Sequence, residues 1–237
     1  MFVLGLLPAL LSFWLRRRLA EPQLFVTHRQ ARPQHSWRAA LRLLVADAAT
    51  ARASLGIVIL CSVQNFGYYG LMIWMPSYLA HTFGYSLLRS GLWTAVTVAG
   101  MALGIVLFGA LADRVGRKPA FVTYQLGAAG MVLVYAHLSA PLALLCGGAL
   151  MGLFVNGMLG GYGALISESY PTAVRATAQN VLFNLGRAVG GFGPLAVGAL
   201  AGHYGFAVAI AWLSAIYVLD CGATLCLIPE RRGAALQ

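Results

Sequence analysis

The sequence predicts an all-α membrane protein, six full spans preceded by the end of another helix, and three observations carry that expectation. The 237 residues are 60% hydrophobic and only 9% charged, with a mean hydropathy of +0.78, more apolar surface than a soluble domain of this size can bury. Six apolar runs, at about 54–80, 88–112, 119–138, 141–167, 176–201 and 206–228, reach the roughly 20 residues that a helix rising about 1.5 Å per residue needs to cross lipid. The connections between them alternate in charge, the pattern of spans threaded back and forth with basic residues kept on the cytoplasmic side.

Residues 1–15 are apolar, too short to span, and closed by Arg16, Arg17 and Arg18. A signal peptide carries its charges before the apolar core, and here they follow it. This segment therefore reads as a partial transmembrane helix whose beginning is missing, and the chain as N-terminally truncated. Residues 16–53 read as a cytoplasmic loop, because Arg29, Arg32, Arg38, Arg42 and Arg52 join that arginine triplet. Within the loop, Ser36 is a candidate cap for an amphipathic helix through about Thr50, with Trp37, Ala40, Leu41, Leu44 and Val45 along one side. A basic amphipathic helix beside spans lies on the membrane surface.

Residues 54–228 form the six-span bundle, and 229–237 a basic cytoplasmic tail. On one side the connections hold only Arg89, or no lysine or arginine at all near 139–141 and 203–205; the other side carries the 109–118 turn, Arg175, Arg231 and Arg232. The net charge of +10 is thus explained by topology. No aromatic–basic interleaving on a polar face suggests nucleic acid. Cys61, Cys146, Cys221 and Cys226 lie inside apolar runs and read as packing residues, while the five histidines are dispersed. No catalytic set, metal or cofactor is expected. Small residues recur four apart at Gly100/Gly104, Gly148/Gly152, Gly157/Gly161 and Gly186/Gly190, the spacing that lets helix backbones approach in lipid. Pro76 and Pro194 are expected to bend their spans.

The turn from Gly109 to Lys118 concentrates Asp113, Arg114, Arg117 and Lys118 between two apolar runs. Gly116 suits a positive φ, and Pro119 starts the next helix. Asp113 ends the incoming helix, where the dipole is negative and a carboxylate is unfavourable, so a partner is expected for it. The next connection on the same side runs from Glu168 through Pro171 to Arg175. Together these residues read either as a gate of ion pairs that breaks and re-forms or as a static surface network.

Gly109-x-x-x-Asp113-Arg114-x-Gly116-Arg117-Lys118 resembles the cytoplasmic loop signature of the major facilitator superfamily, at the place it takes in the C-terminal half. Glu168, Pro171, Val174 and Arg175 resemble that half's segment between the tenth and eleventh helices. Asn184, Arg187, Gly190, Gly191 and Pro194 are similar to bacterial sugar-acid, sialic-acid and carboxylate symporters of the superfamily. The resemblance implies the six-helix C-terminal bundle of a twelve-helix transporter working by alternating access. It also implies an inward-side latch of Asp113, Arg117, Glu168 and Arg175, with Asp113 facing a helix N-terminus in a missing N-terminal bundle.

Polar groups inside spans are the remaining candidates, since they are costly in lipid. Asn180, Asn184, Arg187 and Gly191 share one helix face, and a guanidinium flanked by amides suits a carboxylate; a structural arginine bonding backbone carbonyls is the other reading. Gln64, Asn65, Tyr68 and Tyr69 cluster near the middle of the first full span, which in the resembled family lines the cavity. Tyr69 and Trp74 read equally as packing residues. Asn156 is a further substrate candidate or an interhelical hydrogen bond, and Asp220, the acidic residue within a span, a candidate proton carrier or a paired carboxylate. The expectation is proton-coupled transport of a small organic anion across the cell's inner membrane, with lipid and the missing bundle as partners. A bundle that only associates with a partner half, without transporting, is the alternative.

Overall fold

The computed structural model describes residues 12–15 and 37–230. It comprises two units, Met1–Ala39 and Ala40–Gln237. In the first, residues 12–15 are helical and exposed. The remainder of the expected partial span 1–15, the loop stretch 16–36 with Ser36, and the tail from 231 lie outside the described residues.

Among the described residues the chain is helical throughout: α1 Trp37–Leu43, α2 Ala48–Phe83, α3 Leu87–Val115, α4 Arg117–Ala136, α5 Pro141–Gly157, α6 Leu159–Ser169, α7 Thr172–Gly190, α8 Gly193–Tyr204 and α9 Phe206–Leu227. The amphipathic helix expected to run to Thr50 stops at Leu43, because Asp47 opens a new one. Its extended backbone lets Oδ1 accept the N–H groups of Ala49 and Thr50 at 2.9 Å, while the Thr50 hydroxyl donates to Oδ2 at 2.7 Å. The helix that contains the first apolar run consequently begins at Ala48, ahead of that run. These same hydrogen bonds hold the Asp47 carboxyl below its ordinary range.

Six stretches are long and apolar enough to cross a membrane, including Pro141–Ser169 and Val174–Tyr204. These two are not continuous helices. The first is interrupted at Met158, between α5 and α6, and the second at Gly191 and Phe192, between α7 and α8. Pro194 sits in the first turn of α8, a position where its missing N–H costs nothing. α2 ends on Gly84 in the left-handed region (φ 66°), and α3 on Gly116, whose φ of 103° and ψ of 166° only glycine adopts readily.

Two parallel helix pairs set the packing. α3 lies on α5, with Gly100 and Gly104 against the backbones of Ala149 and Leu153; α2 lies on α7, with Gly186 and Gly190 against Cys61 and Asn65. In each case a Cβ on the glycine would overlap the partner helix. Gly148, Gly152, Gly157 and Gly161 are occluded in the same way by Thr97, Tyr124 and Phe108. The four-residue glycine spacing therefore marks close approach of helices, backbone to backbone at Gly100, Gly104, Gly186 and Gly190 and against side chains at Gly148 and Gly161. α4 and α9 pack on each other, and aromatic side chains fill the centre. Tyr78, Tyr135, Tyr162, Tyr217, Phe108 and Phe121 are fully buried. Two buried tyrosine hydroxyls brace neighbouring helices: Tyr162 donates to Leu60 O at 2.9 Å and Tyr124 to Gly104 O at 3.0 Å. Leu87, Leu142, Leu195 and Leu219 project outward as exposed leucines, the surface lipid requires. Cys61 and Cys221 are buried, whereas Cys146 and Cys226 join that exposed surface. Arg89, on the charge-poor side, is stacked over Tyr85 and Trp93 at 4.0 and 4.9 Å from the ring centroids.

Candidate functional site

Arg117 is the hub of one end of the bundle. Its side chain is 21% exposed and spans two carboxylates: Nε and Nη2 donate to Glu168 Oε1 at 3.0 and 2.9 Å, and Nη1 donates to Asp113 Oδ1 at 2.6 Å. Gly116 makes this possible, since its backbone reverses the chain between α3 and α4 within one residue. Glu168 is 19% exposed and Asp113 72%, so the Glu168 arm is the stronger of the two. The unfavourable placement of Asp113 at the end of α3 is offset by Arg117 four residues on. A partner is thus present within the chain, with most of the carboxylate still open. Arg114 is exposed, Lys118 and Arg175 are half-buried, and a Cβ on Gly109 would meet nothing within 4 Å.

Three further contacts at this end have no signal in the local sequence. The Glu230 carboxylate lies against Gly116 and accepts the Lys118 backbone N–H at 3.0 Å, capping α4. In return, Lys118 Nζ donates to Leu225 O at 2.7 Å, and Arg52 Nε and Nη2 both donate to Cys226 O, Nε at 3.0 Å. These carbonyls are among the last of α9, which lack helical donors. An acidic residue therefore caps an N-terminus and two cations cap a C-terminus, each in the sense the helix dipole favours. Tyr170 is fixed nearby: its hydroxyl donates at 2.5 Å to Ser54 Oγ, which itself donates to Leu44 O at 2.6 Å. Glu230→Ala should lower the melting temperature by several degrees, about 1 kcal/mol for a lost cap, with Glu230→Gln falling between; thermal unfolding in detergent measures both. Equal melting of all three forms would mean the cap contributes nothing.

The polar residues inside spans separate into three groups. Arg187 is exposed near the end of α7, and its Nε donates to Tyr69 Oη at 3.0 Å. Asn184 and Asn180, one and two turns away on the same exposed face, each return their Nδ2 to the backbone carbonyl four residues back, at 2.8 and 2.9 Å. Tyr68 packs its ring on Tyr69, centroids 5.1 Å apart. Arg187 thus stands beside a neutral phenol, in contrast to Arg117 between its two carboxylates.

The second group lies between helices. Gln64 is buried and donates Nε2 to Asn156 Oδ1 at 2.7 Å, bracing α2 against α5 one residue before that helix ends. Asn65 is also buried; its Nδ2 bonds Cys61 O at 2.8 Å, and its Cβ packs on Gly190. Third, Asp220 is buried in α9, where Gln125 Nε2 donates to its Oδ2 at 2.8 Å and to Thr224 Oγ1 at 2.7 Å. The structure thus joins Arg187 to Tyr69 and Gln64 to Asn156, and places Asp220 with Gln125 in a separate site. Tyr69, Glu230 and Gln125 are the partners that spacing along the chain does not identify.

Residues 67–236 match the family model described as Major Facilitator Superfamily. A Haemophilus influenzae protein named for metabolite transport is 57% identical over 241 residues, covering all of this chain and 59% of the relative. The cis,cis-muconate transport protein of Acinetobacter baylyi is 26% identical, over 94% of this chain and 54% of its own length. The chain thus spans a little over half the length of these relatives. A crystal structure of a peptide transporter, POT, superposes with a TM-score of 0.67 at 19% identity, covering 77% of this chain and 39% of that one.

Proposed function

Because the chain belongs to the major facilitator superfamily, we propose that it forms the C-terminal six-helix bundle of a secondary active transporter that carries a small organic anion together with protons. One observation carries the reading: Arg187 stands exposed within a membrane-length apolar stretch, bonded to a neutral phenol and to no carboxylate among the described residues. An intramembrane cation without a counter-ion is costly unless it faces a polar cavity and takes up an anion. Asn180 and Asn184 extend the same face and offer their carboxamide oxygens to hydroxyls of a substrate, and Tyr68 supplies an aromatic wall. Gln64, Asn65 and Asn156 stand in the interior and come into play when α2 and α5 shift.

In this reading the bundle rocks against a second six-helix bundle, opening the shared site to alternate sides. The Asp113–Arg117–Glu168 set is the gate of this half, with Arg114, Lys118 and Arg175 beside it. The Asp113 arm, with its carboxylate 72% exposed, is worth only about 0.2–1 kcal/mol, so it can part and re-form within a transport cycle. Gly109, where a Cβ is unopposed within this bundle, presents the surface on which the second bundle closes. Asp220 is the proton site assigned to this half. The charge distribution supports an inner-membrane orientation with the 113–118 turn and the C-terminus cytoplasmic.

The test is ligand-dependent thermal stabilisation of the chain in lipid nanodiscs by D-gluconate, N-acetylneuraminate and cis,cis-muconate, each beside its neutral carboxamide. A carboxylate that raises the melting temperature when its amide does not supports an anion site. No preference for any of the three anions would count against it.

A further inference from the structure

Arg117 and Arg187 are two arginines of one bundle used in opposite ways. Arg117 spends the edge made by Nε and Nη2 on Glu168 and Nη1 on Asp113, so its charge is answered within the chain. Arg187 spends only Nε, on the hydroxyl of Tyr69 at 3.0 Å. A guanidinium binds a carboxylate with two parallel N–H bonds, either along the edge containing Nε or across the end formed by both Nη groups. With Nε taken, the end remains. The phenol orients the group without neutralising it.

This geometry is held by rigid parts. Tyr69 belongs to α2 and Arg187 to α7, the pair whose backbones meet at Gly186 against Cys61 and at Gly190 against Asn65. These contacts lie in the turns of α7 on either side of Arg187. The Tyr69 ring is in turn buttressed by Tyr68, with the rings inclined at 58°. Arg187 is exposed on the face shared with Asn180 and Asn184, and the only hydrogen bond that its side chain makes among the described residues is the one from Nε.

We infer that Tyr69 is a positioning residue for substrate recognition, setting Arg187 to take a planar carboxylate end-on through its two Nη groups and thereby to reject the corresponding carboxamide. The inference rests on the anion-transport reading above. A carboxamide presents N–H donors to a fork made only of donors, an unpaired arrangement that a polar site rejects strongly. The discrimination depends on the fork being held, and Tyr69 is what holds it.

The experiment is a binding titration of the 237-residue chain in nanodiscs with D-gluconate, N-acetylneuraminate and cis,cis-muconate and their amides, comparing wild type, Tyr69→Phe, Arg187→Lys and Arg187→Ala. The expected result is that Tyr69→Phe weakens carboxylate binding about tenfold, the range of one hydrogen bond to a charged group. Amide binding should stay unchanged, so the carboxylate-to-amide ratio falls, and the ligand-free melting temperature should stay within about two degrees of wild type. Arg187→Lys, which keeps the charge and loses the fork, should cost the ratio more, and this reading stands even if Tyr69→Phe proves poorly folded. Wild-type ratios in both Tyr69→Phe and Arg187→Lys would overturn the positioning role while leaving the anion site intact. Unchanged binding in Arg187→Ala, or no carboxylate binding by wild type, would remove the anion site itself and this inference with it.

Discussion

Arg187→Ala should reduce anion uptake about a hundredfold or more while leaving the protein folded and in the membrane. The assay is a chimera in which this chain replaces the matching part of the 57%-identical Haemophilus influenzae relative, expressed in cells or reconstituted in proteoliposomes. The magnitude follows from the chemistry of a desolvated charge pair, whose truncation costs roughly 2–5 kcal/mol. The fold is expected to survive because the Arg187 side chain makes one described hydrogen bond, to Tyr69, and fills no core space. Quantitative blotting of the membrane fraction separates loss of transport from loss of protein. Uptake within threefold of the parent chimera would take Arg187 out of the site.

Gly104→Val should have the largest effect on folding. A Cβ there would overlap the Leu153 carbonyl, and a Cβ on Gly157 would in turn overlap the backbone of Gly104. Tyr124 Oη also donates to Gly104 O at 3.0 Å. Three helices therefore meet at one residue without a side chain, and the obstructing atoms belong to backbone that cannot rotate away. Relief requires α3 and α5 to separate, costing at least about 3 kcal/mol by comparison with overpacked cores. The expected outcome is loss of the monodisperse species in size-exclusion chromatography. Gly130→Ala is the matched control, since a Cβ there meets nothing within 4 Å and alanine favours the helix by about 0.5–1 kcal/mol. Similar elution profiles for the two variants would show that the α3–α5 contact does not limit packing.

The parts of this fold that are legible in the sequence are those written in composition and short spacing. Apolar length predicts six membrane-length helices, and glycines four apart predict where backbones touch. The turn from Gly109 to Lys118 identifies the charged end. The interruptions at Met158 and at Gly191–Phe192 are not legible, because the glycine-rich segments around them stay apolar and hydropathy runs through without a break. The early start of α2 is hidden for the opposite reason. Asp47 lies in a polar stretch where a cap resembles any loop aspartate.

Direction is the harder limit for the site. Gln64, Asn65 and Tyr68 are adjacent polar and aromatic positions, and nothing in their spacing says which point into the bundle. The structure buries Gln64 and Asn65 and leaves Tyr68 and Tyr69 half exposed. Pairings across long stretches of chain, such as Tyr69 with Arg187 over 118 residues or Lys118 with Glu230 over 112, require the tertiary fold. Asp113 illustrates both sides. Its position at a helix end signals a partner, the resemblance implies a latch shared with Arg117, and the structure adds the direct contact of Arg117 Nη1 with Asp113 Oδ1.

A bundle that carries Arg187 without a counter-ion among the described residues should transport an anion. The direct measurement is uptake by the chimera into proteoliposomes, with D-gluconate, N-acetylneuraminate and cis,cis-muconate as labelled substrates and an inward proton gradient imposed or collapsed. The predicted result is concentrative uptake of at least one of these anions, dependent on the gradient and lost on Arg187→Ala. Absence of gradient-dependent uptake for all three, from a chimera that is folded and inserted, would contradict it.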